Sequence, residues 1–193
     1  QSYSDLIAQT DASLTQRILR GDKYAFDDLV AKYRDKVFGI AYRMLGDYEE
    51  ANDIGQDVFV AVYRSLHKFR FDSAFSTWLY RITVNLCKNR LIKWGRERRT
   101  RTDSIDDETK DLQLKDGGKS APEIIEQDRR QEIVAKAIAE LPEDFREVIV
   151  LRDIEDISYE EIAQILQCEA GTVKSRLHRA RMSLKEKLKE AGI

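Results

Sequence analysis

Apolar residues recur at spacings of three and four along most of the chain, and the two-residue alternation of a half-buried strand is nearly absent. The pattern predicts an all-α protein. It places helices over residues 11–21, 25–45, 48–66 and 76–96, and again over 122–140, 143–153, 159–166 and 171–189. Gly21-Asp22 and Gly46-Asp47 read as turns, each a helix-ending glycine followed by an Asp able to cap the next helix. Asp47 with Glu50, and Ser158 with Glu161, stand at capping-box spacing. Between the two groups of helices, residues 103–122 are acidic, poor in apolar side chains and carry Gly117-Gly118. The chain therefore divides into a helical domain over 1–102, a flexible acidic linker over 103–122 and a second helical domain over 123–193.

Composition narrows the chemistry. With 193 residues there is room for one or two real cores. A charged fraction of 35 % without a long apolar run excludes a membrane-spanning helix, and residues 1–20 lack a signal-peptide core. The two cysteines, Cys87 and Cys168, are isolated, with no zinc spacing. His67 and His178 have no Cys or carboxylate at ligand spacing, and no nucleophile motif or glycine-rich phosphate loop occurs. An enzyme, a metal or a cofactor is not expected.

The net charge of −2 hides segregation. Residues 1–102 carry 18 cations against 13 acids, and 103–132 carry 5 against 10. Residues 140–171 hold 2 cations and 10 acids, whereas 172–189 hold 7 cations and one acid. Two basic patches thus stand ready for phosphate.

The first patch is joined to aromatics. Phe69, Phe71, Phe75, Trp78 and Tyr80 precede eight Lys/Arg between Arg81 and Arg101, with Glu97 the one acid among them. Rings stack on bases and cations neutralise phosphates, so the segment suits an opened nucleic-acid strand; a core plus a solvated cationic face has the same composition. On a helix capped by Ser76, Leu79, Ile82, Thr83, Leu86 and Arg90 share one face. Trp78, Arg81, Asn85, Lys88 and Asn89 share the other. Phe71, Asp72, Ser73 and Phe75 lie in the preceding loop, where an extruded base could be held.

The second patch follows a tight turn. Val173, Leu177, Ala180, Leu184 and Leu188 make an apolar stripe, and Lys174, Ser175, His178 and Arg179 project from the far side. Thr172, Arg176 and Arg181 flank them, in reach of phosphates. Two helices with a short turn, the second basic on its free face, describe a helix-turn-helix with a recognition helix; an amphipathic hairpin with a solvated basic face is the plainer alternative.

These residues carry a resemblance. FDSAFSTWLYRITVN, starting at Phe71, resembles the promoter-melting segment of extracytoplasmic-function (ECF) sigma factors, and the stretch from Leu141 to Arg181 resembles their C-terminal promoter-binding domain. GDKYAFDDLVAKY and ANDIGQDVFVAVY, starting at Gly21 and Ala51, are similar to the family's N-terminal helices. The resemblance implies sigma regions two and four joined by a linker, and binding to core RNA polymerase. It also implies recognition of the minus-ten and minus-thirty-five promoter elements as duplex and as melted non-template strand. It implies further an anti-sigma factor as inhibitory partner, a bacterial cytoplasmic setting and no membrane contact of its own. By match to the motif, Asp53, Gln56 and Asp57 would dock the polymerase; independently, they fall opposite Ala51, Ile54, Val58 and Val62 on a helical wheel. One departure is Glu169-Ala170, where the family often has Pro and an apolar residue; it places an acid at the start of the recognition helix. A stand-alone helix-turn-helix regulator and a helical adaptor for acidic proteins are the competing readings. The strand-opening aromatics disfavour the first of them.

Overall fold

The computed structural model describes residues 3–102 and 122–192, so the expected linker over 103–122 lies outside the described residues except for Pro122, which opens a helix. Four helices form the first group: α1 (Tyr3–Leu19), α2 (Lys23–Leu45), α3 (Tyr48–Ser65) and α4 (Phe75–Thr102). The second group is α5 (Pro122–Ala139), α6 (Glu143–Ile149), α7 (Tyr159–Leu166) and α8 (Ala170–Glu190). There is no strand among the described residues, and the fold is all-α as the periodicity predicts.

The local signals work as their chemistry requires. Asp22 accepts from the Ala25 amide at 3.3 Å and caps α2. The Arg17 guanidinium hydrogen-bonds Asp22 and, with the capping amides, holds that carboxyl below its ordinary range. Gly46 closes α2 in the left-handed conformation, φ 73°, its N–H donating to the Tyr42 carbonyl. Asp47 caps α3 through the Glu50 amide at 2.9 Å, but only half of the expected box forms. The Glu50 carboxylate turns away to pair with Arg90 of α4. The box at Ser158 is complete, with Glu161 bonding back to the Ser158 amide. α6 runs on into a single π-helical turn over Val150–Ile154 rather than ending at 153 as an α-helix.

Helix α4 departs most from expectation. Its buried side chains are Phe75, Thr77, Leu79, Tyr80, Thr83, Val84 and Cys87, whereas Ile82 and Leu86 are only half-buried. The reason is that α4 has neighbours on two sides: α2 and α3 of its own group, and α7 of the other. A wheel drawn for one neighbour rotates the buried arc and makes it too narrow. Similarly, α8 buries Val173, Leu177 and Ala180, while Leu184 packs against the core only partly buried and Leu188 stays half-buried.

The two groups of helices share one continuous core. α2 meets α5, α6 and the π-turn, and α4 meets α7. Polar bonds cross the same boundary. The half-buried Arg146 of α6 donates to the Met44 carbonyl at the end of α2 (2.5 Å), and to the carbonyls of Leu141 (3.0 Å) and Ala139. The three carbonyls lie at or just beyond the ends of α2 and α5, so one guanidinium ties two helix ends together. Arg43 of α2 meets Glu155 at 3.5 Å, and Gly39 leaves the space for it: a Cβ there would lie 2.8 Å from the Arg43 guanidinium.

Replacing Arg146 with Met should destabilise the chain by at least about 2 kcal/mol, since each buried carbonyl left unpaired costs about 1–3 kcal/mol. Urea unfolding followed by circular dichroism measures this; an unchanged midpoint would show that water replaces the guanidinium without loss.

Candidate polymerase and nucleic-acid interfaces

On α3, the amphipathic pattern puts Ala51, Ile54, Val58 and Val62 in the core and leaves Asp53, Gln56 and Asp57 exposed, as the wheel predicts. The same outer face continues into exposed Val60 and Tyr63. With Phe26 and Phe59 these line a shallow groove of about 540 Å³ that also touches Lys23, Asp27 and Arg64. Tyr63 is held edge-on to Phe26, centroids 5.1 Å apart. Asp57 also stands 3.8 Å from Arg90, and two carboxylates and an amide beside an apolar groove suit a protein partner.

The aromatic segment divides in two. Phe69, Phe75 and Tyr80 are core, at 7, 4 and 6 % exposure. Phe75 packs against Tyr33, Phe69 and Trp78, so its placement as a base-stacking residue is not supported: it props the ring beside it. Burial also pushes the Tyr80 phenol well above its ordinary pKa. Phe71 is 47 % exposed and lies in the left-handed region, φ 58°, which a side chain other than glycine rarely adopts. Its ring rests 4.7 Å from Phe69. Trp78 is half-buried on Phe69 and Phe75, with centroids at 5.3 and 5.8 Å. Two reachable rings thus stand on two buried ones. Asp72 is exposed, Ser73 is half-buried and bonds the Ala74 carbonyl, and along α4 Arg81 is half-buried and Asn85 exposed.

Lys88 is placed differently from the expectation of a free cation. Its ammonium lies 2.6 Å from Glu147 Oε2 of α6, a close ion pair although that oxygen accepts no well-aligned hydrogen bond. Glu147 is 1 % exposed, and its other oxygen stands 3.6 Å from Arg176 of α8. Burial raises the Glu147 carboxyl above its ordinary range; Lys88 and Arg176 pull it back without cancelling that cost. Glu147, Arg146 and Arg43 leave little mark in the sequence. The one available signal was an acid directly before Val148, Ile149, Val150 and Leu151, four consecutive buried residues.

The turn between α7 and α8 is made by Gln167 at φ 53°, and the Cys168 amide returns to the Ala163 carbonyl at 3.0 Å. Glu169 stands at the N-cap of α8, but its side chain makes no capping bond. Lys174, Ser175, His178 and Arg179 are exposed on one side of α8, as expected. Lys174 also lies over the Tyr159 ring at 5.8 Å and Arg179 over Phe145 at 5.9 Å. Thr172 and Arg176 are half-buried at the flank. Arg181 is exposed yet committed to Asp153, with bonds of 3.0 and 2.5 Å that raise its pKa further, so it is less free for phosphate than expected.

Comparison with known proteins agrees with this layout. Residues 29–97 match the family model for sigma-70 region 2, and residues 131–184 match that for sigma-70 region 4. The chain is 42 % identical to the RNA polymerase sigma-H factor of Pseudomonas aeruginosa, over 95 % of this chain and 96 % of that protein. It is 40 % identical to the ECF RNA polymerase sigma-E factor of Escherichia coli, over 93 % and 94 %. The chain belongs to the ECF sigma-factor family. A sigma factor is an initiation subunit and not an enzyme. Among solved structures, RpoE of Bartonella quintana, crystallised with the anti-sigma factor NepR, aligns with TM-score 0.67 and 27 % identity. That alignment covers 85 % of this chain and 96 % of RpoE. CnrH, in complex with the cytosolic domain of CnrY, aligns with the same score and identity over 95 % and 99 %. No described helix of this sigma factor is long and apolar enough to cross a membrane.

Phe75→Ala should cost about 3–5 kcal/mol of stability, as loss of a buried ring does, whereas Phe71→Ala should change stability by no more than about 0.5 kcal/mol. Thermal unfolding of both variants distinguishes the core ring from the accessible one.

Proposed function

We propose that this ECF sigma factor binds core RNA polymerase through the α3 face of Asp53, Gln56 and Asp57, with the groove at Val60 and Tyr63 beside it. Residues 1–102 then act as the minus-ten domain, 103–122 as the connecting linker and 123–193 as the minus-thirty-five domain. Phe71, Trp78, Arg81 and Asn85 receive the melted non-template strand, with Asp72, Ser73 and Lys88 at the margins of that site. Lys174, Ser175, His178 and Arg179 of α8 read duplex in the major groove, and Thr172, Arg176 and Arg181 approach its phosphates.

One observation carries this reading. A single chain presents an exposed basic face on α8 and, apart from it, two accessible rings, Phe71 in the loop before α4 and Trp78 on α4, with the exposed Asn85 on the same helix. A duplex-binding regulator needs only the first. Because its relative RpoE was crystallised with an anti-sigma factor, we infer that such a partner restrains this chain too, in the bacterial cytoplasm where polymerase works.

Run-off transcription with core polymerase tests the function directly: activity on a cognate promoter should depend on this chain. Reversing Asp53 and Asp57 to Lys should abolish co-purification with core polymerase while leaving helicity intact; full assembly would refute the docking face. Trp78→Ala should impair initiation on duplex DNA and be rescued by a pre-melted template, since base stacking is worth about 1–3 kcal/mol per base. Arg179→Ala should cost about 1–3 kcal/mol at selected sequences. A loss equal on all sequences would mark it as a phosphate contact.

A further inference from the structure

We propose that Phe145 of α6 is a positioning residue for base recognition: its ring holds the Arg179 guanidinium of α8 in the pose that reads a base pair. The guanidinium carbon lies over the Phe145 ring at 5.9 Å, and Nε donates to the Ser175 carbonyl one turn back at 3.4 Å. At this distance a cation is attracted to the face of a ring. Arg179 is exposed, whereas Phe145 is half-buried and packs against the core, so an anchored ring steadies a side chain that solvent would otherwise leave free. α6 and α8 pack directly on one another, which keeps the ring in register with the recognition helix. The determinant thus sits on a helix that need not touch a base itself.

The way Arg179 is held leaves its base-reading chemistry intact. Arg181, on the same helix, is held by Asp153 through hydrogen bonds of 3.0 and 2.5 Å, and those donors are spent on the carboxylate. A ring attracts the guanidinium through its π face and requires none of its N–H donors. With Nε turned to Ser175, the two terminal nitrogens of Arg179 are the ones that can donate side by side, as guanine O6 and N7 require. A free arginine gives up much rotamer freedom when it binds. One already restrained gives up less, and only in the pose the restraint favours. The ring therefore favours the bidentate contact over a mere attraction to phosphate. Tyr159 of α7 stands at 5.8 Å from the Lys174 ammonium, but it shares its ring with Arg152 at 5.2 Å. An ammonium also has no plane to orient, so the argument applies to Arg179.

The inference rests on the reading of Arg179 as a base contact proposed above. The test uses holoenzyme and a duplex site that the native holoenzyme selects from a random pool, compared with its single-base-pair variants by fluorescence anisotropy. Arg179→Ala should erase discrimination at one base pair. Phe145→Leu, which keeps an apolar side chain and removes the ring, should lower discrimination at that same pair by about two- to fivefold. The other pairs and the dependence on salt should not change, since no phosphate contact is lost. Phe145→Tyr should restore discrimination, and Phe145→Leu should have no effect in an Arg179→Ala background. Full discrimination by Phe145→Leu, an equal loss at every base pair, or the same loss without Arg179 would each overturn the proposal. If Phe145→Leu loses helicity, Phe145→Met, also apolar and without a ring, is judged by the same outcomes. An Arg179→Ala variant that weakens all sequences alike would refute base recognition by Arg179, and the proposal with it. A selective Arg179→Ala beside a silent Phe145→Leu would overturn the proposal alone. The full chain without polymerase or DNA gives a second readout by proton NMR. The ring current of Phe145 should move the Arg179 δ-methylene protons upfield, and Phe145→Leu should remove that shift. A native chain without it would overturn the proposal whatever the transcription results.

Discussion

Helix α4 has to satisfy two neighbours at once, and the arrangement of the chain follows from that. On one side it completes the core of the first domain through Leu79, Thr83 and the Arg90–Glu50 pair; on another it meets α7. Tyr80, Val84 and Cys87 are buried as well, so little of its middle is left to solvent. The polar and aromatic residues that remain accessible there, Asn85 and Asn89 with the partly covered Trp78, Arg81 and Lys88, are therefore selected by packing as much as by chemistry. The helix that carries Trp78, Arg81 and Asn85 is the same helix that joins the two groups of helices.

How far the sequence reveals this depends on how many partners an element has. Helix α3 packs on one side, and a helical wheel places Asp53, Gln56 and Asp57 outside and Ala51, Ile54, Val58 and Val62 inside without error. α7 and the start of α8 are equally legible, because a capping box, a left-handed turn and a three/four apolar stripe are all local. α4 is not, because its second neighbour comes from the far end of the chain and leaves no period in the sequence. The same limit hides Glu147, whose partners lie 59 residues before it and 29 after. Nor can composition separate Phe75 from Phe71: both are Phe near basic residues, and only packing makes one a prop and the other a contact surface.

Charge segregation also reads differently once the helices are placed. The acids of α6 and the turn after it are not a diffuse counterweight to a basic helix. Asp153 holds Arg181 and Glu147 approaches Arg176, so the flanks of the recognition helix are partly occupied while its central face at Lys174, His178 and Arg179 stays open.

The burial of Cys87, next to Lys88 on α4, has a consequence for the chain's chemistry in an oxidising cell. Desolvation pushes its thiol up to about 12, so at neutral pH almost no thiolate exists and no reagent reaches the sulfur. Cys168, only half-buried at the helix-turn-helix turn, meets an oxidant first. The two sulfurs therefore keep separate times: Cys168 records the surroundings of the folded protein, and Cys87 reacts only at the rate at which α4 lifts from its neighbours.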